Sequence, residues 1–362
     1  MIPAPEVRLG VLLTTNRHGQ QSDAEVFARA LAIAERAEES GIDDLWVTEH
    51  HFSEASISPS ALALAAFLLG RTRRIRVGTA VTLLPLHSPV HVAEQAALLD
   101  QLSGGRFHLG VGRGMPLIDY EVIGGGGKYW HGGMGEDLEL VLRAWQGEVS
   151  GRSELYSFPS VTTLPRPRER SGPPVHVAGG SAATISMAAE RGLPLLLFFD
   201  KDAEAKAEMI ALHRKHAVAA GHPASGYDHA FALFAHVTDD GDEAERLMRD
   251  RARHLVESAQ LARFMTGAPR KPGSAAQRAA AIDSVAEGLL DTQPVGGVET
   301  CVDRIVHHIL TSGAGRVLCQ IESVGTAPGA LRNLERLTTE VFPTVRERVS
   351  RAWPERDGRG SS

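Results

Sequence analysis

Three ionisable side chains stand side by side where an apolar run stops, in Leu45-Trp46-Val47-Thr48-Glu49-His50-His51-Phe52. A buried strand that ends in a carboxylate and two imidazoles delivers acid/base groups to one rim of a sheet, where a ligand can meet them. Neighbouring residues of an extended strand point to opposite sides, so one of the two histidines faces the centre of that rim. Metal ligation, proton transfer and a purely structural role are all open to such a cluster. The metal reading is the weakest, because zinc-binding barrel hydrolases place His-x-His at the end of their first strand and no such pair occurs here. His87 and His91 fall at a helix entrance and read as incidental, and His176 reads as a buried, hydrogen-bonded strand histidine. No metal is therefore expected.

A second group of residues suits an anion. Val175-His176-Val177-Ala178 runs into Gly179-Gly180-Ser181-Ala182-Ala183-Thr184 and then a helix, presenting free backbone N–H groups, a positive dipole end and two hydroxyls. The plainer alternative is that Ser181 only caps its helix. Arg113, set between Gly112 and Gly114 at another strand end, adds a cation without bulky neighbours that can grip an anion bidentately. The run Gly110-Val111-Gly112-Arg113-Gly114 is not a dinucleotide loop, since no Gly-x-x-Gly continuation opens a helix.

Those residues need elements that bring strand ends together. Periodicity predicts strands at 8–15, 44–48, 75–84, 107–111, 175–178, 195–199, 229–237 and 316–321. Helices are predicted at 24–39, 59–69, 90–102, 135–146, 182–191, 202–219, 242–263, 299–312 and 328–341. Eight strands alternating with helices make an α/β chain with the count of a (β/α)₈ TIM barrel, whose chemistry lies at the C-terminal strand ends. A doubly wound open sheet competes, but Asn16-Arg17-His18-Gly19 at the first strand-to-helix turn is no phosphate loop. Two insertions are expected. After strand four, 148–174 reads as a hairpin turning at Pro159-Ser160; after strand seven, 265–294 reads as either an active-site lid or a tolerated surface excursion. The predicted division is one barrel domain over 1–345 and a polar tail over 346–362.

Composition narrows the function classes. With 362 residues, 43% hydrophobic content and a formal net charge of -6, the chain has length for a large core and no evident surface for tracking phosphates, so nucleic acid is not an expected partner. No apolar run reaches the roughly 20 residues of a spanning helix, and the N-terminus lacks a basic region followed by an apolar one, so no membrane partner and a cytoplasmic location are expected. Two cysteines, Cys301 and Cys319, are too few for a disulfide framework and read as core thiols.

Trp46-Val47-Thr48-Glu49-His50-His51-Phe52, Gly78-Thr79-Ala80-Val81-Thr82-Leu83-Leu84-Pro85, Leu98-Leu99-Asp100-Gln101-Leu102-Ser103-Gly104-Gly105-Arg106-Phe107, Gly112-Arg113-Gly114, Ala188-Ala189-Glu190-Arg191-Gly192-Leu193-Pro194 and Pro294-Val295-Gly296 together resemble the bacterial luciferase-like flavin monooxygenases. The similarity spans most of the chain in one order and lies on the side of the catalytic luciferase subunit. It implies a (β/α)₈ barrel that binds reduced FMN, activates dioxygen as a flavin C4a-hydroperoxide and oxygenates a small organic substrate. Position by position it implies that His50 is the histidine beside the flavin ring, with Glu49 and His51 orienting it or bounding the pocket. A non-proline cis peptide would fall between Ala80 and Val81, Met115 would lie against the flavin, and Asp119 would supply a carboxylate near the reaction centre. Arg113 with Ser181 and Thr184 would hold the phosphate. The chain departs from the luciferase pattern at Gly112, where a cysteine is expected, and at Gly180, where a glutamate is expected. Light emission does not follow from the resemblance.

No nicotinamide site is evident, so a separate NAD(P)H:flavin reductase is the expected partner. Helix 59–69 is apolar nearly all round and predicts a covered face, either on a neighbouring helix or in a homodimer or heterodimer. Two rival functions are an F420-dependent oxidoreductase on the same barrel and a non-catalytic luciferase-type partner subunit. Thr14, Asn16, Phe198 and Phe199 are expected in the substrate wall, which leaves the substrate itself open.

Overall fold

Strand β1 (Arg8–Leu13) alternates its side chains between two apolar layers, and the remaining strands repeat the pattern: β2 (Asp44–Val47), β3 (Arg76–Thr79), β4 (Phe107–Gly112), β5 (Val175–Ala178), β6 (Leu195–Leu197), β7 (Ala230–Phe234) and β8 (Arg316–Gln320). Leu9, Val11, Leu13, Leu45 and Val47 join the layer packed on the helices, whereas Leu12, Trp46, Ala230, Ala232 and Leu318 fill the interior. The structure is a computed structural model that describes residues 6–266 and 273–356. All neighbouring pairs in the ring are parallel, each strand beside the next, with β8 closing on β1. The predicted (β/α)₈ barrel is the observed fold.

The barrel floor is a packed layer. Trp46 meets His108 and His176 with ring centroids 5.9 and 5.1 Å away, and Gly78 makes room for the indole, since a Cβ there would lie 2.6 Å from it. Arg316, fully buried, pairs with Asp44 and Asp228. His176 Nε2 bonds the Asp228 carbonyl at 3.0 Å, in keeping with a structural strand histidine. With its floor filled, the barrel leaves its C-terminal mouth for ligands.

Several elements differ from the sequence reading. Predicted strand 75–84 divides into β3 and a two-residue continuation, Thr82–Leu83, around a cis peptide between Ala80 and Val81. The helix expected from 135 begins at Gly127, and its Gly133 lets it approach the Leu84–Leu86 turn, where a Cβ would lie 3.2 Å from Pro85 Cβ. The hairpin exists, but Glu148–Arg152 pairs with Ser157–Thr162, so Pro159 sits within a strand. Ser153 closes the turn instead, its hydroxyl accepting from the Leu155 and Tyr156 amides. A proline is tolerated there because a two-stranded ribbon leaves edge N–H positions unpaired.

Of the segment 265–294, residues 267–272 lie outside the described residues. Ala275–Thr292 is a helix packed against Gly241–Leu261, sharing a cluster with Phe234, Met248 and Leu289. Before it, the chain reaches the loop that follows β4: Ile118 N donates to Arg263 O at 2.6 Å and Met265 N to Pro116 O at 3.0 Å.

The predicted polar tail from 346 is corrected. Helix Phe342–Arg356 continues through it, with Val345 and Val349 buried on one face and Arg346 and Arg348 paired to Asp43, Glu299 and Asp303. Spacing of Phe342, Val345 and Val349 at i, i+3 and i+7 gives an apolar stripe that the abundant arginines obscure. The last predicted tail residues, 357–362, lie outside the described residues.

Candidate active site

Glu49 follows β2 and is buried, with its carboxylate fully occupied. Oε1 accepts from His87 Nε2 at 2.8 Å, from the Leu83 amide at 3.2 Å and from His51 Nε2 at 3.4 Å, while Oε2 accepts from the Ala61 amide at 3.0 Å. Burial alone would raise its pKa, yet the hydrogen bonds from His51 and His87 outweigh that and bring it down to about 2. Glu49 is thus a fixed anion that orients His51 and His87. It does not bond His50, so of the two roles expected of it, orienting His50 or bounding the pocket, its hydrogen bonds do not support the first. His87, read as incidental, is its shortest side-chain partner.

The His50 ring has no hydrogen-bond partner among the described residues. Its backbone is pinned, N to Ser58 O at 2.8 Å, and its ring is open to solvent at the mouth while protein mass surrounds it. That surrounding mass holds its pKa below the ordinary histidine value, with Glu49 pulling it up and His51 down. A neutral imidazole with both nitrogens uncommitted can accept or deliver a proton.

Asp119 and Tyr120 open a short helical turn after β4 and face two ways. Asp119 is buried and feels the charge of His51 without bonding it; burial raises its pKa, and His51 offsets part of the rise. The Tyr120 hydroxyl donates to Arg113 O at 2.5 Å. Met115, between them and β4, is 51% exposed, an apolar side chain open toward the mouth loop.

The anion group assembles on β4 and β5, which run side by side. Arg113 lies with its Cζ 4.2 Å from the centre of the Trp130 ring, and the one hydrogen bond its guanidinium makes among the described residues, to Trp130 O, is long at 3.4 Å. The fork is stacked and still has N–H groups to give. After β5, Gly179 has φ +157°, and a Cβ there would lie 2.6 Å from Thr184 Cγ2. Ser181 caps helix Ala182–Glu190, accepting from Thr184 N at 3.2 Å, with its hydroxyl 2.9 Å from Thr184 Oγ1. Gly180 and Ser181 are exposed. The capping role is observed, and the capped helix start remains exposed. The departure at Gly112 has a steric reason: a Cβ would lie 2.8 Å from Val81 Cγ2. These residues fit a phosphate-bearing flavin, since a stacked guanidinium, two hydroxyls and a helix start converge on one rim.

Sequence reasoning named Asn16 on the opposite side of the mouth but passed over the helix residues that meet it. Arg251 and His254, on helix Gly241–Leu261, come to the exits of β1, β7 and β8, where Asn16 and Phe234 lie. Nothing in the charged run around Arg251 marks it, because only helix placement separates it from its exposed neighbours. Among the described residues no group of three or more His, Cys, Asp or Glu side chains is arranged to hold a metal ion, and no helix is long and apolar enough to cross a membrane.

Comparison with known proteins agrees with this geometry. The chain is 28% identical over 354 residues to the alkanal monooxygenase alpha chain of the Kryptophanaron alfredi symbiont, covering 94% of this chain and 99% of the relative. Its fold matches the oxygenating constituent of 3,6-diketocamphane monooxygenase from Pseudomonas putida, solved with FMN, at TM-score 0.75 and 19% identity over 94% of this chain and 98% of that one. It also matches an F420-dependent secondary alcohol dehydrogenase at TM-score 0.74 and 19% identity, covering 94% and 99%. The family model for luciferase-like monooxygenases matches residues 7–314, and the chain belongs to that family.

Proposed function

We propose that this chain is the oxygenase of a two-component system that uses reduced FMN and dioxygen to oxygenate a small organic substrate, with a separate NAD(P)H:flavin reductase. The observation that carries it is the pairing of the open Ser181–Thr184 helix start with stacked Arg113 on adjacent strand ends. Arg113, Ser181, Thr184 and the Gly179–Gly180 backbone would hold the phosphate, and Ala80, Val81 and Met115 would line the ring. Reduced flavin, when bound, supplies the activation of dioxygen for transfer of one oxygen atom.

The protein's own residues supply position and proton handling. His50, neutral and unbonded, takes or gives a proton at a ring nitrogen. Fixed Glu49 holds His51 and His87 in place. Asp119 presents a carboxyl beside His51. The Phe264–Met265 segment, bonded to the loop after β4, narrows the mouth to water.

The F420-dependent reading has one supporting observation, the fold shared with an F420-dependent dehydrogenase. The two separate in one experiment: titrate FMN and F420, then follow oxygen uptake with reduced FMN and a substrate panel. Micromolar FMN binding with substrate-dependent oxygen uptake supports the oxygenase; tight F420 binding with hydride transfer and no oxygen uptake overturns it. Rapid NADH or NADPH oxidation by the chain alone with FMN would remove the need for a reductase.

A cytoplasmic enzyme assembled as a dimer completes the proposal. Phe67 on helix Ala61–Arg71, and Leu98 and Leu102 on the adjacent helix Pro89–Ser103, remain 53%, 44% and 76% exposed, so the described residues do not cover this face. An uncovered apolar face of that kind suits a subunit interface.

A further inference from the structure

Arg251 is a buried cation that forms no ion pair with a carboxylate among the described residues. It is 7% exposed, its Cζ lies 4.7 Å from the centre of the Phe234 ring, and Nη1 and Nη2 donate to the Asn16 side-chain oxygen at 2.8 and 3.1 Å in the amide orientation that satisfies both ends of Asn16. Among the described residues Glu322 is the only carboxylate whose charge reaches it. That carboxylate is already engaged, accepting from Thr14 N at 2.6 Å and Thr14 Oγ1 at 2.8 Å and pairing with Arg29 at 3.4 Å. Two guanidiniums therefore share one carboxylate.

The surrounding histidines add no compensating charge. Burial first, then Arg29, Arg251 and His254, bring His18 down to about 4; burial, then Arg251 and His50, bring His254 to about 4. Both are neutral near pH 7, so among the described residues named here two guanidinium charges are set against the one carboxylate of Glu322. Ser323 Oγ, just past β8, is buried with no hydrogen-bond partner among the described residues. A desolvated charge in excess costs stability unless something uses it.

The position says what uses it. Arg251 stands over the exits of β7, β8 and β1, across the ring of strands from Arg113 and Ser181 on β4 and β5, so it is on the far side of the mouth from the proposed flavin phosphate. His254 lies close enough to both Arg251 and His50 that a charge on either lowers its pKa. Two of the five guanidinium N–H donors go to Asn16, and the planar fork that remains matches a carboxylate.

Building on the flavin-oxygenase reading, we propose that Arg251, braced by Asn16 and Phe234, is a specificity-determining residue that binds a carboxylate on the organic substrate. The anionic end would be anchored on the β7–β8–β1 side and the oxidisable end turned toward His50.

The test is calorimetric titration of the FMN-loaded chain with hexanoate and benzoate against hexanamide and benzamide at pH 7.5, with FMN affinity measured separately. Carboxylates are expected to bind at least tenfold tighter than the matching amides. In R251M that ratio should fall to within twofold while FMN affinity changes less than threefold. R251K, which keeps the charge and loses the fork, should show an intermediate ratio and serves if R251M does not fold. An absent preference in the wild-type chain, or one unchanged in either variant, overturns the inference. A tenfold loss of FMN affinity in R251M also overturns it, by assigning the arginine to the flavin site. If the chain takes up no FMN at all, the flavin reading fails instead, and the same titration on the flavin-free chain still decides the role of Arg251.

Discussion

His87 Nε2 stands 2.8 Å from Glu49 Oε1, and through that contact the exit of β3 holds the exit of β2. The carboxylate so held is ionised far below its ordinary range, which makes its contribution to stability depend on pH. Its folded pKa of about 2 lies under the ordinary 4.5, so its stabilisation is present above pH 4.5 and is lost as pH falls toward 2. Wild-type chain should exceed E49Q in stability at pH 6 by a gap that shrinks by up to about 3 kcal/mol between pH 5 and pH 2. Denaturant melts of both proteins across that window measure it, and a flat gap would show that Glu49 is not held ionised.

His50→Ala removes an uncommitted imidazole at the end of β2. Oxygenation should drop by roughly 10²–10⁴-fold, the usual share of general acid–base catalysis, with FMN affinity within about tenfold of wild type. Turnover left unchanged would refute the role.

Arg113→Met should weaken FMN binding by roughly 10- to 100-fold, the equivalent of a charge-assisted contact of about 1.5–3 kcal/mol. Ser181→Ala should cost less in affinity, and should also lower the melting temperature because the same hydroxyl caps helix Ala182–Glu190. Fluorescence titration and thermal melts separate the two effects.

Sedimentation at micromolar concentration should show a dimer, and Leu102→Glu, on the exposed face of helix Pro89–Ser103, should shift it to monomer. A wild-type chain that sediments only as monomer would dispose of the interface.

Val349→Asp tests the corrected C-terminus. A buried position on helix Phe342–Arg356 should lose on the order of 2–4 kcal/mol or fail to fold, whereas a solvated tail would tolerate the change. Urea unfolding distinguishes them.

Much of this molecule is legible along the chain. Strand β1 and helix Asp23–Glu39, with its Ser22–Glu25 capping box, announce themselves through alternation, period and cap chemistry, all set within a few residues. The arginine-rich end hid a helix because its apolar stripe is sparse. The hairpin turn was misplaced because Ser153, a side-chain cap on two amides, outweighed the local turn signal of Pro159.

By itself the sequence determined the barrel, the cluster of acid/base groups at the end of β2 and the anion cradle after β5, since each depends on residues close together in the chain. Only the tertiary structure decided which of those groups are committed. Glu49 meets His87 from 38 residues away, leaving the His50 ring unbonded, and Arg251 reaches Asn16 from 235 residues further along the chain. Such partnerships follow from closing β8 onto β1 and laying a helix across the rim, which no local periodicity encodes.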